Sequence, residues 1–192
     1  MQDSSFNQKI ADIYRTRLQY TDTSHEKIFI IFSGTPGSGK TTLAKKLTDD
    51  LQAQYVRHDE IRQIIKGIGH DPHKMSMIPI SKLIIDDIMA YSPNKLVILD
   101  ASLDRAWNIY FDHVRRLEAK PCIIRFEVPK KILVARLNSR NDDGDEKLVK
   151  MIDTFIEQLE SCKKSVNADI CLGVEYKYEE VLSKIKNLYG LS

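Results

Sequence analysis

An apolar, β-branched run, Ile28-Phe29-Ile30-Ile31-Phe32, runs into a turn that reads Gly34-Thr35-Pro36-Gly37-Ser38-Gly39-Lys40-Thr41. A helical pattern follows over 42–51, with Leu43, Leu47 and Leu51 on one face. This G-x-x-x-x-G-K-[ST] turn between a strand and a helix constrains the chain more than any other feature. The glycines let the backbone curl so that several N–H groups point inward, and the start of the next helix adds its own attraction for an anion. In such a cradle Lys40 reaches the β- and γ-phosphates of a nucleoside triphosphate, and the Thr41 hydroxyl holds Mg²⁺. Gly34, Thr35, Pro36, Gly37, Ser38, Gly39, Lys40, Thr41 and Thr42 are the expected nucleotide-binding residues.

From Lys27 onward short apolar runs alternate with helical patterns. The expected strands are 28–33, 54–57, 95–100, 121–127 and 168–172. The expected helices are 40–52, 59–67, 80–91, 103–119, 129–140, 145–164 and 178–189. Alternation of this kind implies an α/β fold with a parallel sheet and helices on both faces. Continuous apolar strands such as Leu96-Val97-Ile98-Leu99 fit burial on both sides. At 192 residues and 42% hydrophobic content the chain can bury one sizeable core. Before it, residues 1–26 form an amphipathic helix, with Phe6, Ile10, Ile13, Tyr14 and Leu18 at helical spacing over 4–20, and the polar linker Thr21-Asp22-Thr23-Ser24-His25. The main domain is then 27–192. The stripe Trp107, Tyr110, Phe111, Val114 and Leu117 reads as core.

A net charge of +2 neither demands nor excludes a nucleic-acid partner, and the paired cations Lys45-Lys46, Arg115-Arg116, Lys130-Lys131 and Lys163-Lys164 read as solvated helix faces. Three widely spaced cysteines argue against a disulfide framework and against a four-thiolate metal site. Cys122 and Cys171, in apolar runs, are expected to be buried. Reduced thiols beside an ATP site, with no signal-like N-terminal segment, lead to the expectation of a cytoplasmic protein. No apolar run reaches the ~20 residues of a membrane span.

Ligands of open parallel sheets bind beyond the carboxyl ends of the strands, and acids and arginines cluster there. The second strand leads into His58-Asp59-Glu60-Ile61-Arg62. Asp59 can take the proton of an acceptor hydroxyl, with Glu60 as second choice, and Arg62, one turn on, can grip the acceptor. Leu96-Val97-Ile98-Leu99-Asp100 has the form of a Walker B element, so Asp100 is expected to bind Mg²⁺ through water. Ala101 follows where many ATP hydrolases place a glutamate, which favours transfer over hydrolysis. Arg136 and Arg140 share a helix face before the polar break Asn141-Asp142-Asp143-Gly144-Asp145, so 134–147 reads as a lid that brings positive charge onto the transferring group. The polar loop 67–75, with His70, Asp71 and His73, fits substrate recognition better than metal binding. Asn94-Lys95 echoes a guanine-binding signature but lacks its aspartate. Gly173-Val174-Glu175 stands where the adenine would pass.

The order of these elements, Gly34 to Thr41, Asp59-x-x-Arg62, the Asp100 strand and Arg136-x-x-x-Arg140, resembles the P-loop kinase group of polynucleotide 5′-hydroxyl kinases, zeta toxins, gluconate kinases and chloramphenicol phosphotransferase, with an AAA-type ATP-binding domain. Residues 100–105, Asp100-Ala101-Ser102-Leu103-Asp104-Arg105, look imperfectly like the D-[AS]-[ST]-x-x-x-[RK] region of its polynucleotide-kinase-like members. The resemblance implies a three-layer sandwich, a five-stranded parallel sheet in the order 2-3-1-4-5, an aspartate base after the second strand and a helical lid. It implies an ATP:Mg²⁺-dependent phosphotransferase acting on a hydroxyl, of a small molecule or of a nucleic-acid end. A nucleoside, nucleotide or cofactor-precursor kinase, an NTP-hydrolysing regulator and a nucleotide-binding interaction or toxin-like module remain as alternatives. The apolar stripe of 4–20, if exposed, is the best support for the last.

Overall fold

The computed structural model describes residues 4–18, 26–92, 95–139 and 145–191. The linker at 21–25, Asn94, Arg140 and the break at 141–144 lie outside the described residues. In chain order the elements are α1 (Ser4–Arg15), β1 (Ile28–Ser33), α2 (Lys40–Leu51), β2 (Gln54–Arg57), α3 (His58–Gly67), a 3₁₀ turn (Pro72–Lys74), α4 (Ile78–Tyr91), β3 (Leu96–Ser102), α5 (Trp107–Arg116), β4 (Lys120–Phe126), α6 (Lys130–Asn138), α7 (Asp145–Lys150), α8 (Ile152–Ser165), β5 (Ile170–Leu172) and α9 (Tyr178–Tyr189). Among the described residues the five strands pair in parallel in the order β2-β3-β1-β4-β5, as expected.

Alternation along the central strands divides the core in two. Phe29 and Ile31 of β1 and Val97 and Leu99 of β3 face a layer built from α1, α3, α4 and α5, including Ile10, Ile61, Ile84 and Tyr110. Ile28, Ile30 and Phe32, with Leu96 and Ile98, face α2 and α9 through Leu43, Leu47 and Ile185. Leu133 and Leu137 of α6 and Ile152 of α8 form a third, smaller cluster with Leu148 and Val149 of α7.

The amphipathic helix is α1, shorter than the expected 4–20. Its stripe is not on display: Ile10, Ala11 and Tyr14 are buried in the main core, and α1 packs on α4 and α3.

Three expectations change. The helix placed at 103–119 begins only at Trp107, because β3 runs on to Ser102 and Leu103 donates its N–H to Phe32 O at 2.8 Å. Tyr110 and Val114 of its stripe are buried, with Trp107, Phe111 and Leu117 partly buried against the same core. The helix placed at 145–164 is broken at Met151, whose N–H is shared between Lys147 O and Leu148 O at 3.2 Å each. Leu148 and Val149 of α7 and Ile152 and Ile156 of α8 pack with α6, and Cys162 further along α8 packs in the main core. Finally, Cys122 is buried as expected, but Cys171 is exposed and Cys162 is buried. β5 is an edge strand with Ile170 and Leu172 inward, so alternation turns Cys171 out.

Candidate active site

The turn after β1 folds as its glycines permit. Gly34 has φ +140°, and a Cβ there would stand 3.0 Å from Phe126 Cβ and 3.2 Å from Phe126 O. Gly37 has φ +82°, and its Cβ would meet Leu133 O at 3.3 Å. Both need glycine, for conformation and for close approach. No side chain caps the N-terminus of α2, which leaves that end of the helix to an anion. Lys40 Nζ lies over the loop and donates to Gly34 O and Thr35 O, both at 2.7 Å. The ammonium is thus already held where phosphates would meet it.

The loop is braced from below by a carboxylate that sequence reasoning gave no role. Asp104, 8% exposed, accepts from Ser33 Oγ at 2.6 Å, from Gly34 N at 2.9 Å and from Ser102 Oγ at 2.9 Å. Ser33 Oγ in turn accepts from Nε of the buried Arg125 at 3.4 Å, so a buried positive charge stands behind the same hydroxyl. Asp104→Ala strands these three buried donors. We expect a loss of about 2–3 kcal/mol, a melting temperature lower by roughly 4–10 °C and weaker ATP binding. Thermal unfolding with and without ATP checks this, and an unchanged melting temperature would show that the brace does not matter.

Asp100 comes to the loop through an irregularity of β3. Ile31 pairs with Leu99 but Phe32 pairs with Ser102, so Asp100 and Ala101 have no partner in β1. Such an interruption re-aims a side chain. Here Asp100 Oδ1 accepts from Thr41 Oγ1 at 3.1 Å. Its Oδ2 accepts from Tyr55 Oη at 2.8 Å and lies 3.7 Å from Arg57 Nε. Burial, and then the charge of Asp100 itself, push the Tyr55 phenol well above its usual pKa, so it stays a donor. A hydroxyl beside a carboxylate is the hard oxygen donor set that suits Mg²⁺.

Asp59 lies in the first turn of α3, whose N-cap is Arg57, so it does not cap the helix. It is ion-paired with Arg62 one turn on, and its own carboxylate is 65% exposed. Lys40, Thr41, Asp59, Arg62 and Asp100 line one cavity of about 430 Å³ with Gly34, Thr35 and Pro36. Met75, Met77, Ile78, Arg105, Phe155 and Gln158 also line it. The Arg105 guanidinium lies 5.6 Å from the Phe155 ring centroid and has no ion-pair partner among the described residues. On the floor, His58 Nε2 is 3.1 Å from Tyr110 Oη and 3.3 Å from Ser81 Oγ. Burial, reinforced by the Arg62 charge, holds His58 down at about 4, so it is neutral at pH 7.

The remaining expected residues lie elsewhere. Gly37, Ser38, Gly39 and Thr42 line a second concavity of about 330 Å³ on the other side of the loop, with Arg136, Ser139, Val174 and Tyr176. Arg136 donates to Gly37 O and Ser38 O, both at 3.3 Å, and does not share the cavity of Asp59. Arg140 lies outside the described residues. In the 67–75 loop, Asp71 caps the 3₁₀ turn through His73 N and His70 packs edge-on against Phe6, while Met75 reaches the cavity.

Asp104, Arg105, His58 and Tyr110 in the cavity lining, and Tyr55 on Asp100, are not among the candidate residues of the sequence. The signal at hand was the stretch 100–105, where a second acid and an arginine follow Asp100.

A family model described as an AAA domain matches residues 29–162. No curated protein matches the chain. Among solved structures, a shikimate kinase from Bacteroides thetaiotaomicron is similar, at 15% identity and a TM-score of 0.57, over 85% of this chain and 99% of that one. A gluconokinase from Sinorhizobium meliloti 1021 gives 16% and 0.57, over 86% and 95%. A tunicamycin resistance protein from Deinococcus radiodurans gives 16% and 0.57, over 87% and 98%. At these identities the likeness is one of fold.

Proposed function

The chain belongs to the AAA domain family, and from that premise we propose that it is an ATP-dependent kinase that moves the γ-phosphate to a hydroxyl of a small, anionic molecule. One observation carries this reading. The phosphate-loop lysine and threonine, the Asp100 carboxylate and the exposed Asp59 carboxylate line a single cavity of about 430 Å³.

ATP enters with its phosphates along Gly34 to Thr41, and the loop divides the site. On the side of Arg136, Val174 and Tyr176 there is room for the base and ribose. On the side of Asp59 there is room for the acceptor. Mg²⁺ bound with the nucleotide would be held by Thr41 and, through water, by Asp100, and would neutralise phosphate charge. Asp59 accepts the proton of the acceptor hydroxyl and aims its oxygen at the γ-phosphate, while Arg62 fixes the carboxylate. Lys40 stabilises the charge that builds on the transferring group, and Arg136 adds positive charge from the outer side of the loop.

The acceptor is read from the lining residues beyond the phosphate loop. Arg105 and Arg62 offer two guanidinium groups to an anion, Phe155 and the methionines offer apolar surface, and Gln158 adds an amide. A cavity of this size suits a metabolite rather than the end of a polynucleotide. Arg105→Ala should raise the KM for the acceptor about 10–100-fold, the weight of one charged hydrogen bond, and leave the KM for ATP unchanged. A screen of hydroxy acids, phosphorylated alcohols, nucleosides and 5′-hydroxyl oligonucleotides with labelled ATP tests the class. A clear preference for uncharged acceptors or for oligonucleotides would overturn it.

A further inference from the structure

We infer that Tyr14 of α1, outside the matched segment 29–162, is a positioning residue for the Asp100 carboxylate. The inference rests on the proposed role of Thr41 and Asp100 in holding the metal of the metal–nucleotide complex.

β2 is an edge strand of the sheet, and its outer backbone groups need partners. A single phenol supplies two of them. Tyr14 Oη donates to Tyr55 O at 3.1 Å and accepts from Arg57 N at 2.9 Å. Tyr14 is 1% exposed, so no water competes for either bond. The two β2 residues it ties down are the two whose side chains hold Asp100, Tyr55 through its hydroxyl at 2.8 Å and Arg57 through Nε at 3.7 Å. Both act on Oδ2. Oδ1 is thereby left turned toward Thr41, on the cavity side.

The rest of α1 and the turn after it fix the phenol in place. Ile10 and Ala11 are fully buried, Arg15 is ion-paired with Asp87 of α4, and Arg17, just past the helix, meets Glu60 Oε1 of α3 through Nη1 at 3.2 Å. The chain therefore runs from the helix, through the phenol, the edge strand and two side chains, to the carboxylate. Groups that orient a metal-binding carboxylate affect metal affinity without touching the metal.

Calorimetric titration of the full chain with a non-hydrolysable ATP analogue, in Mg²⁺ and in chelator, isolates this effect. In the wild type Mg²⁺ should tighten binding. Tyr14→Phe keeps the ring and should leave the affinity in chelator unchanged, while the gain from Mg²⁺ falls about tenfold. Tyr55→Phe should show the same pattern. Ile10→Val, which loosens α1 without removing a hydrogen bond, should lower the melting temperature and keep the full Mg²⁺ gain. An unchanged Mg²⁺ gain in both tyrosine variants overturns the positioning role and leaves the kinase reading standing. A wild type that shows no Mg²⁺ gain overturns the reading of the metal site, and this inference with it.

Discussion

On the proposed function, replacing Lys40 with alanine should leave a folded protein that transfers almost no phosphate. The ammonium sits over the loop, 2.7 Å from the carbonyls of Gly34 and Thr35, and it lines the same cavity as Asp59 and Asp100. In transfer, negative charge spreads over the γ-phosphoryl oxygens, and a positive group fixed beforehand stabilises it without reorganisation. Removing one such contact costs about 10²–10³-fold in kcat, or roughly 3–4 kcal/mol of transition-state stabilisation. The fold should survive, because the hydrogen bonds lost are partly exposed ones to backbone carbonyls and the loop keeps its brace at Asp104. Initial rates with labelled ATP and a saturating acceptor, set beside a melting curve, check both halves. Transfer at the wild-type rate would separate the loop from the chemistry. ATP consumed at the wild-type rate without any acceptor would instead move the chain to the hydrolysing alternative, which Ala101, standing where a glutamate would be expected, argues against.

What the sequence made legible was local or repetitive. The alternation of strands and helices forces a parallel sheet, and the phosphate loop lies within ten residues, so its geometry follows from its own glycines. Asp59 and Arg62 are one helical turn apart and had to share a face. Less legible was whatever depends on register between distant segments. Asp100 could be named from its strand, but its direction is set by the irregular pairing opposite Ile31 and Phe32. Asp104 meets Ser33 and Gly34 across about seventy positions of chain, and nothing near it in sequence marks it as the loop's support. Cys171 was misplaced because an apolar neighbourhood does not say whether a strand lies at the edge of its sheet. Arg136 is expected near the transferring group because its helix follows the fourth strand; its side chain lies on the phosphate loop at Gly37 and Ser38, in the second concavity, a placement that depends on packing between distant segments.

The helix at the start of the chain shows the same limit from another side. Its stripe of Phe6, Ile10, Ile13 and Tyr14 is equally good for a partner and for the chain's own core, and periodicity cannot choose between them. Burial of Ile10, Ala11 and Tyr14 against α3 and α4 takes away the exposed stripe that best supported the interaction-module alternative.

Asp59→Asn separates the acceptor's chemistry from nucleotide binding. The carboxylate is exposed to the cavity and touches no group of the phosphate loop; its partner is Arg62. Asparagine keeps the shape and loses the capacity to take a proton, so kcat should fall about 10²–10⁴-fold, the usual weight of a general base. Affinity for ATP, measured by titration with a non-hydrolysable analogue, should stay within about twofold, since nothing that binds phosphate is altered. Glu60→Gln is the matched control. Glu60 is the next residue, but it turns to the other side of α3 and pairs with Arg17 at 3.2 Å, so kcat should hardly move. Equal losses of turnover and ATP affinity in Asp59→Asn would make Asp59 a nucleotide ligand. A full loss in Glu60→Gln with activity kept in Asp59→Asn would place the proton acceptor one residue further along the chain.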